Sequence, residues 1–235
     1  MQVNNEICFW HVCCNLATRK NFTNPKNKIM KKIKLLVAVV ALFMFAQTSI
    51  AQTIVGSSHD FSPNAWSQGE ICKACHTPHN GAMLPEAPLW NHELTTATFT
   101  LYTSSTLNAV MGQPDGNSKL CLSCHDGTVA LENFGGVTTG TTKILPGNPA
   151  YVGTNLTNDH PVSFTYNTAL ATADGGLFDP STTQSGLGGT ITNTMLFSNK
   201  MQCASCHDVH NSYGINGLLV KSNAASALCL TCHDK

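Results

Sequence analysis

Eight cysteines and four histidines recur in one arrangement: Cys72-Lys-Ala-Cys75-His76, Cys121-Leu-Ser-Cys124-His125, Cys203-Ala-Ser-Cys206-His207 and Cys229-Leu-Thr-Cys232-His233. C-x-x-C-H is the attachment pattern of c-type haem. Two thiols one turn apart can add to the two vinyl groups on one edge of a porphyrin, and the histidine that follows then points its imidazole at the iron. Zinc sites also use C-x-x-C pairs, but they do not require a histidine after every second cysteine. An exported chain with eight cysteines could instead be a disulfide scaffold, which would not require histidine at all. The four copies use every cysteine after residue 51. The expectation is therefore four haem c groups, with thioethers at Cys72, Cys75, Cys121, Cys124, Cys203, Cys206, Cys229 and Cys232. His76, His125, His207 and His233 are the proximal iron ligands.

Each iron then needs a sixth ligand or keeps an open position. Five further histidines follow residue 51: His59, His79, His92, His160 and His210. Five imidazoles for four irons suffice for bis-histidine ligation throughout, with one spare. His79 and His210 each lie three residues after a proximal histidine. Positions i and i+3 share one helical face, so neither can reach the far side of its own haem. Each is expected to serve another haem, in the same chain or in another subunit. Met83, Met111, Met195 and Met201 could give Met/His ligation and a raised potential, but methionine more often packs, and the histidines are sufficient.

The elements that must hold these groups are short. CKACHTPHN leading to LCLSCHDG is echoed by CASCHDVHN leading to LCLTCHD, so 52–127 and 201–235 read as two dihaem repeats. Between them, 128–200 is a Gly/Thr-rich connecting segment whose plain alternative is a disordered linker. Alternation around Val162–Tyr166 and Thr190–Phe197 predicts short strands or hairpins. The stretch from Pro78 to Pro88 reads as loop, and Ser222–Cys229 as a short helix. The fold class expected is a multihaem cytochrome c: mostly irregular, with short helices at the haem motifs, a few short β-strands, and a haem stack in place of most of the side-chain core. Phe61, Trp66, Trp90 and Phe99 are candidates to pack on porphyrin faces.

Upstream, 30–51 reads as a signal peptide. Lys31, Lys32 and Lys34 precede an apolar run from Leu35 to Ala46, and Ser49-Ile50-Ala51 offers a cleavage site. That run is short of the roughly 20 residues a bilayer span needs, and no cysteine follows the cut to carry a lipid. Residues 1–29 read as a start assigned too far upstream, with Met30 the initiator. The full chain is charge-balanced, but seven of its thirteen Lys and Arg lie in 1–51, and the remainder carries a net charge of about −6. An acidic surface without arginine is the wrong partner for nucleic acid.

SSHDFS at 57–62, CKACHTPHNG at 72–81, APLWNHE at 87–93, LCLSCHDG at 120–127, NDHPVSF at 158–164 and CASCHDVHN at 203–211 resemble the doubled-CxxCH multihaem cytochromes. More narrowly the pattern is similar to tetrahaem subunits of extracellular cytochrome filaments. That resemblance implies that His79 ligates a haem of a neighbouring subunit in a homopolymer. It also implies that His59, His160 and His210 are the other distal ligands.

The function expected is electron transfer in the periplasm or extracellular space, without substrate turnover, between redox partner proteins. Iron held by two imidazoles has no open site, and such haems tend to low potential. The alternative is a multihaem reductase subunit with one open haem. The scarcity of cations after residue 51, six lysines and no arginine, disfavours an oxyanion substrate.

Overall fold

The computed structural model describes residues 54–85 and 87–234; the expected signal peptide and the segment before it lie outside that range. Regular structure is sparse. Strands β1 (Ala82–Leu84) and β2 (Ala87–Trp90) form one antiparallel pair, and β3 (Phe164–Thr165) and β4 (Lys200–Met201) another. Helix α1 spans Gly116–His125, α2 Thr168–Asp174 and α3 Ile191–Thr194. Short 3-10 turns fill in elsewhere, two of them on haem motifs at Cys203–Ser205 and Cys229–Thr231.

Three local readings of the sequence are corrected. The stretch before Pro88 pairs as the β1–β2 hairpin rather than remaining loop. Ala82 faces Trp90 and Leu84 faces Ala87, so Pro88 and Leu89 together oppose Met83 in a β-bulge. The run Thr190–Phe197 holds α3, not a strand. Ile191 and Met195, four apart, are both fully buried, and Met195 N–H donates to Ile191 O (2.9 Å). The apolar spacing there is the helical one. Ser222–Cys229 is no continuous helix. It makes a 3-10 turn at Ala224–Ser226, broken by left-handed backbone at Ala225 (φ 51°).

The connecting segment is folded. Phe164, Tyr166, Ala171, Ile191 and Met195 form a buried cluster with Met201, Val220, Leu228 and Cys232 of the C-terminal repeat. Each fully buried large side chain there contributes roughly 1.5–3 kcal/mol. Helix α2 is well punctuated. Asn167 Oδ1 accepts from Leu170 N–H (2.9 Å) as N-cap, and Gly175 closes the helix at φ 70°. Tyr166 Oη–H donates to Phe178 O (2.6 Å), so the buried phenol is satisfied.

A buried polar knot ties the two repeats together through α1. Ser118 N–H donates to Gln202 Oε1 (3.0 Å), and Cys203 N–H donates to Ser118 Oγ (3.0 Å). Gln202 Nε2 donates to Asp115 Oδ1 (3.0 Å), Asp115 N–H donates to Ser163 Oγ (3.0 Å), and Lys200 pairs with Asp115. The second motif, on α1, is thus anchored directly to the start of the third. A smaller apolar cluster of Phe99, Leu122 and Leu156 backs α1.

Candidate haem-binding site

Each motif is a single tight turn. His76, His207 and His233 N–H groups donate to the carbonyls of Cys72, Cys203 and Cys229 (2.8–3.0 Å), which stacks the two cysteines of each pair and sets the histidine after them. The second motif ends α1. A returning segment then grips the first, third and fourth histidines from both sides. Thr77 N–H donates to Leu89 O and Asn91 N–H to Cys75 O. Asp208 N–H donates to Leu218 O and Val220 N–H to Cys206 O. Asp234 N–H donates to Gly176 O and Phe178 N–H to Cys232 O. The repeat seen in the sequence is therefore a repeat of backbone hydrogen bonds, with a loop two residues shorter in the second copy.

Three of the four proximal rings are fixed by their Nδ1 atoms. His76 Nδ1–H donates to Pro88 O (2.9 Å), His125 to Ala150 O (2.7 Å) and His207 to Gly217 O (2.9 Å). Such a bond sets the tautomer, orients the ring and leaves Nε2 with a lone pair for a metal. His160 Nδ1–H is held likewise by Pro161 O (2.8 Å).

Three imidazole pairs face one another. His59 and His125 have ring centroids 6.0 Å apart, and His76 with His210 and His160 with His233 are each 6.3 Å apart. A metal–nitrogen bond of about 2 Å on each side, with about 1.2 Å from nitrogen to ring centre, gives roughly 6.4 Å between imidazoles sharing one ion. His210 thus lies opposite the proximal histidine of the first motif, not of its own. His207 faces no second imidazole among the described residues, and the exposed His79 ring makes no ring or ion-pair contact among them. His92 is buried, with Nδ1 2.8 Å from Glu93 O and Nε2 3.1 Å from Ala130 O and 3.5 Å from Cys124 Sγ. Both its ring nitrogens are engaged within the protein.

The electrostatics suit neutral donors. Burial, then the nearby His125, His207 and His210, push the His59 imidazole down to about 4, so it stays neutral and able to coordinate. Burial pushes the thiols of Cys75, Cys206 and Cys232 up to about 11 and that of Cys124 up to about 12. Cys121 donates to Cys203, which raises the first thiol and brings the second down to about 7. Among the described residues no three of His, Cys, Asp and Glu converge on one point. None of the eight cysteines forms a disulfide.

The neighbouring thiols also order the motifs. Cys75 lies near Cys124, Cys121 touches Cys203, and Cys206 lies near Cys229 and Cys232. The thiols of consecutive motifs are therefore neighbours.

Residues 197–235 match the model of the doubled CXXCH motif family. That segment carries the third and fourth motifs, and the doubled motif there is the covalent attachment pattern of haem c, which suggests a multihaem c-type cytochrome in electron transfer. No curated protein matches the chain. Among the described residues no helix is long and apolar enough to cross a membrane.

The residues present fit haem at the paired imidazoles. Each pair is spaced for one six-coordinate iron, and each lies beside an unpaired C-x-x-C. Two buried polar atoms without a protein partner, Trp90 Nε1 and Asp159 Oδ2, lie near these sites. Trp90 sits edge-on to His76 (6.3 Å), and Asp159 lies close enough to Cys203 to perturb its thiol.

Three other aromatic residues cluster beside His59 and the first motif: Phe61 stacks on His59 (6.0 Å), and the Lys73 ammonium lies over the Phe134 ring (5.8 Å). Phe61 packs on Trp66 (5.3 Å) and Trp66 on Phe134 (6.0 Å). Sequence reasoning singled out the first two and missed Phe134, which sits in a Gly-rich stretch. It also missed the carbonyls of Pro88, Ala150 and Gly217, since backbone acceptors leave no mark in residue type.

Proposed function

We propose that the chain is an exported tetrahaem cytochrome that carries electrons, with haem c at Cys72/Cys75, Cys121/Cys124, Cys203/Cys206 and Cys229/Cys232. When bound, haem supplies reversible one-electron chemistry. The chain's own residues attach it, clamp its ligands and space it. The observation that carries this reading is the 6.0–6.3 Å separation of His59/His125, His76/His210 and His160/His233, which leaves no coordination position for a substrate at three of the four sites. His92, with both nitrogens occupied, is the spare histidine. Electrons pass through the motifs in chain order, as their thiol neighbours run. Cys72 at one end and Cys229 at the other are the exposed cysteines, which makes the outer motifs the points of exchange with redox partners.

His207 is the proximal histidine whose ring contacts no other imidazole among the described residues, and His79 is an exposed imidazole without such a contact. Their match supports a homopolymer in which His79 of one copy ligates the iron beside His207 of the next. The same observation favours a second reading, in which that iron stays open for a reductase reaction. Asp159 beside Cys203, its carboxyl raised by burial, would then be the nearby acid.

The test is secretion from a host that matures c-type cytochromes, with haem counted by mass spectrometry. Wild type and His79→Ala are then compared by electron microscopy and by EPR. Four haems, polymers in wild type, and discrete subunits with one new high-spin iron in His79→Ala are expected. A high-spin iron already present in wild type, unaltered by His79→Ala, favours the reductase. Apoprotein alone, or zinc in place of iron, refutes both.

A further inference from the structure

An extended strand turns successive carbonyls to opposite sides, yet Pro88 and Leu89 aim consecutive carbonyls at one target. Pro88 O accepts from His76 Nδ1–H (2.9 Å), while Leu89 O accepts from Thr77 N–H (3.0 Å). The second repeat does the same. Gly217 O accepts from His207 Nδ1–H (2.9 Å), and Leu218 O accepts from Asp208 N–H (2.6 Å). Both arrangements run through a leucine in left-handed backbone, which in the second repeat follows a left-handed Gly217 (φ 74°). Leu89 has φ 59° and Leu218 φ 55°, the left-handed region that residues other than Gly, Asn and Asp rarely adopt. In the first repeat Leu89 lies in the bulge of the β1–β2 hairpin, a device that re-aims groups beside functional sites. The backbone of Gly81 presses on it: a Cβ there would lie 2.6–2.7 Å from the Leu89 Cα, C and O atoms. The Leu89 side chain is 37% exposed and belongs to neither apolar cluster. Packing of that side chain does not explain the strain.

We infer that Leu89 and Leu218 are positioning residues whose left-handed backbone turns the Pro88 and Gly217 carbonyls onto the proximal histidines, and so sets the reduction potentials of the first and third haems. An Nδ1–H bonded to a carbonyl makes the imidazole more basic towards its metal. A more basic ligand stabilises the ferric state and lowers the potential, so losing the bond raises it. The inference rests on the haem reading of the motifs, and the haem count tests that reading separately.

The experiment compares Leu89→Gly, Leu89→Asn and Leu89→Val, with the same set at Leu218, in the secreted holoprotein. Haem is counted by mass, and the four potentials are read by optical redox titration. Glycine and asparagine tolerate positive φ, while β-branched valine does not. Gly and Asn variants are expected to keep four haems and wild-type potentials, with the Gly variant at least as resistant to denaturant as wild type. Val variants are expected to shift one potential of the four upwards, or to lose the haem at that motif alone. Gly and Val variants that behave alike, whether both unchanged or both shifted, overturn the inference. A wild type carrying no covalent haem would overturn the haem reading instead.

Discussion

The three facing imidazole pairs differ in one measurable respect, the angle between their rings. His76 and His210 are nearly parallel at 20°, His59 and His125 lie at 41°, and His160 and His233 are close to perpendicular at 77°. Each imidazole donates π density to one of two iron d orbitals that are otherwise degenerate. The combined splitting from two rings scales with the cosine of the angle between them. That gives about 0.9, 0.75 and 0.2 of the parallel value for the three pairs, with axial-ligand geometry as the protein's lever. The oxidised protein should therefore show an ordinary rhombic low-spin EPR signal from the first two pairs. The His160/His233 iron should add a separate, highly axial signal with a much larger maximum g. His160→Ala should abolish that axial component, convert one iron in four to high spin, and leave the rhombic components in place. His210→Ala should remove a rhombic component and spare the axial one. The measurement is EPR at liquid-helium temperature on protein of verified haem content. Equivalent low-spin signals from all irons, or loss of the rhombic signal on His160→Ala, would refute the assignment of ring pairs to irons.

Two further outcomes concern stability. Ile191→Ala removes a fully buried side chain at the centre of the larger apolar cluster and should cost about 2–5 kcal/mol, read as a lower denaturation midpoint with haem content unchanged. At Asp115, burial would raise the carboxyl, but hydrogen bonds from Lys200 and Gln202, the Lys200 charge and Ser163 together hold it below its usual range. A depressed folded value means that its contribution is complete above the unfolded value of about 4 and is lost as pH falls through the folded value. Melts from pH 6 down to roughly 2.5, as the carboxylate range dictates, should show a shallower acid loss for Asp115→Asn than for wild type. The difference should be modest, because the pair is partly exposed to water.

The chemistry was far more legible than the fold. Cysteine and histidine spacing is imposed by a rigid cofactor, so it survives in the sequence whatever surrounds it. The Ala-rich run after Asn167 and before Gly175 has both capping residues of a helix, but its 7 residues are too few for periodicity to mark it inside a Gly/Thr-rich segment. The strand expected at Thr190–Phe197 failed because a short apolar run fits either period, and only the burial of Ile191 with Met195 decides it. Where His59, His160 and His210 would lie could not be had from local pattern. Each meets a proximal histidine more than 65 positions away, so their pairing is a property of the folded chain. Leu89 and Leu218 give no warning in the sequence at all, since leucine is among the last residues one would assign to left-handed backbone.

The polar knot around Ser118 and Gln202 governs more than stability. Because the amide of Cys203 is bonded to a side chain of the helix that carries Cys121, whatever the two cysteines hold inherits a fixed separation. Tunnelling falls off exponentially with the gap it crosses. A junction riveted at the middle of the array would hold that hop at a steady rate.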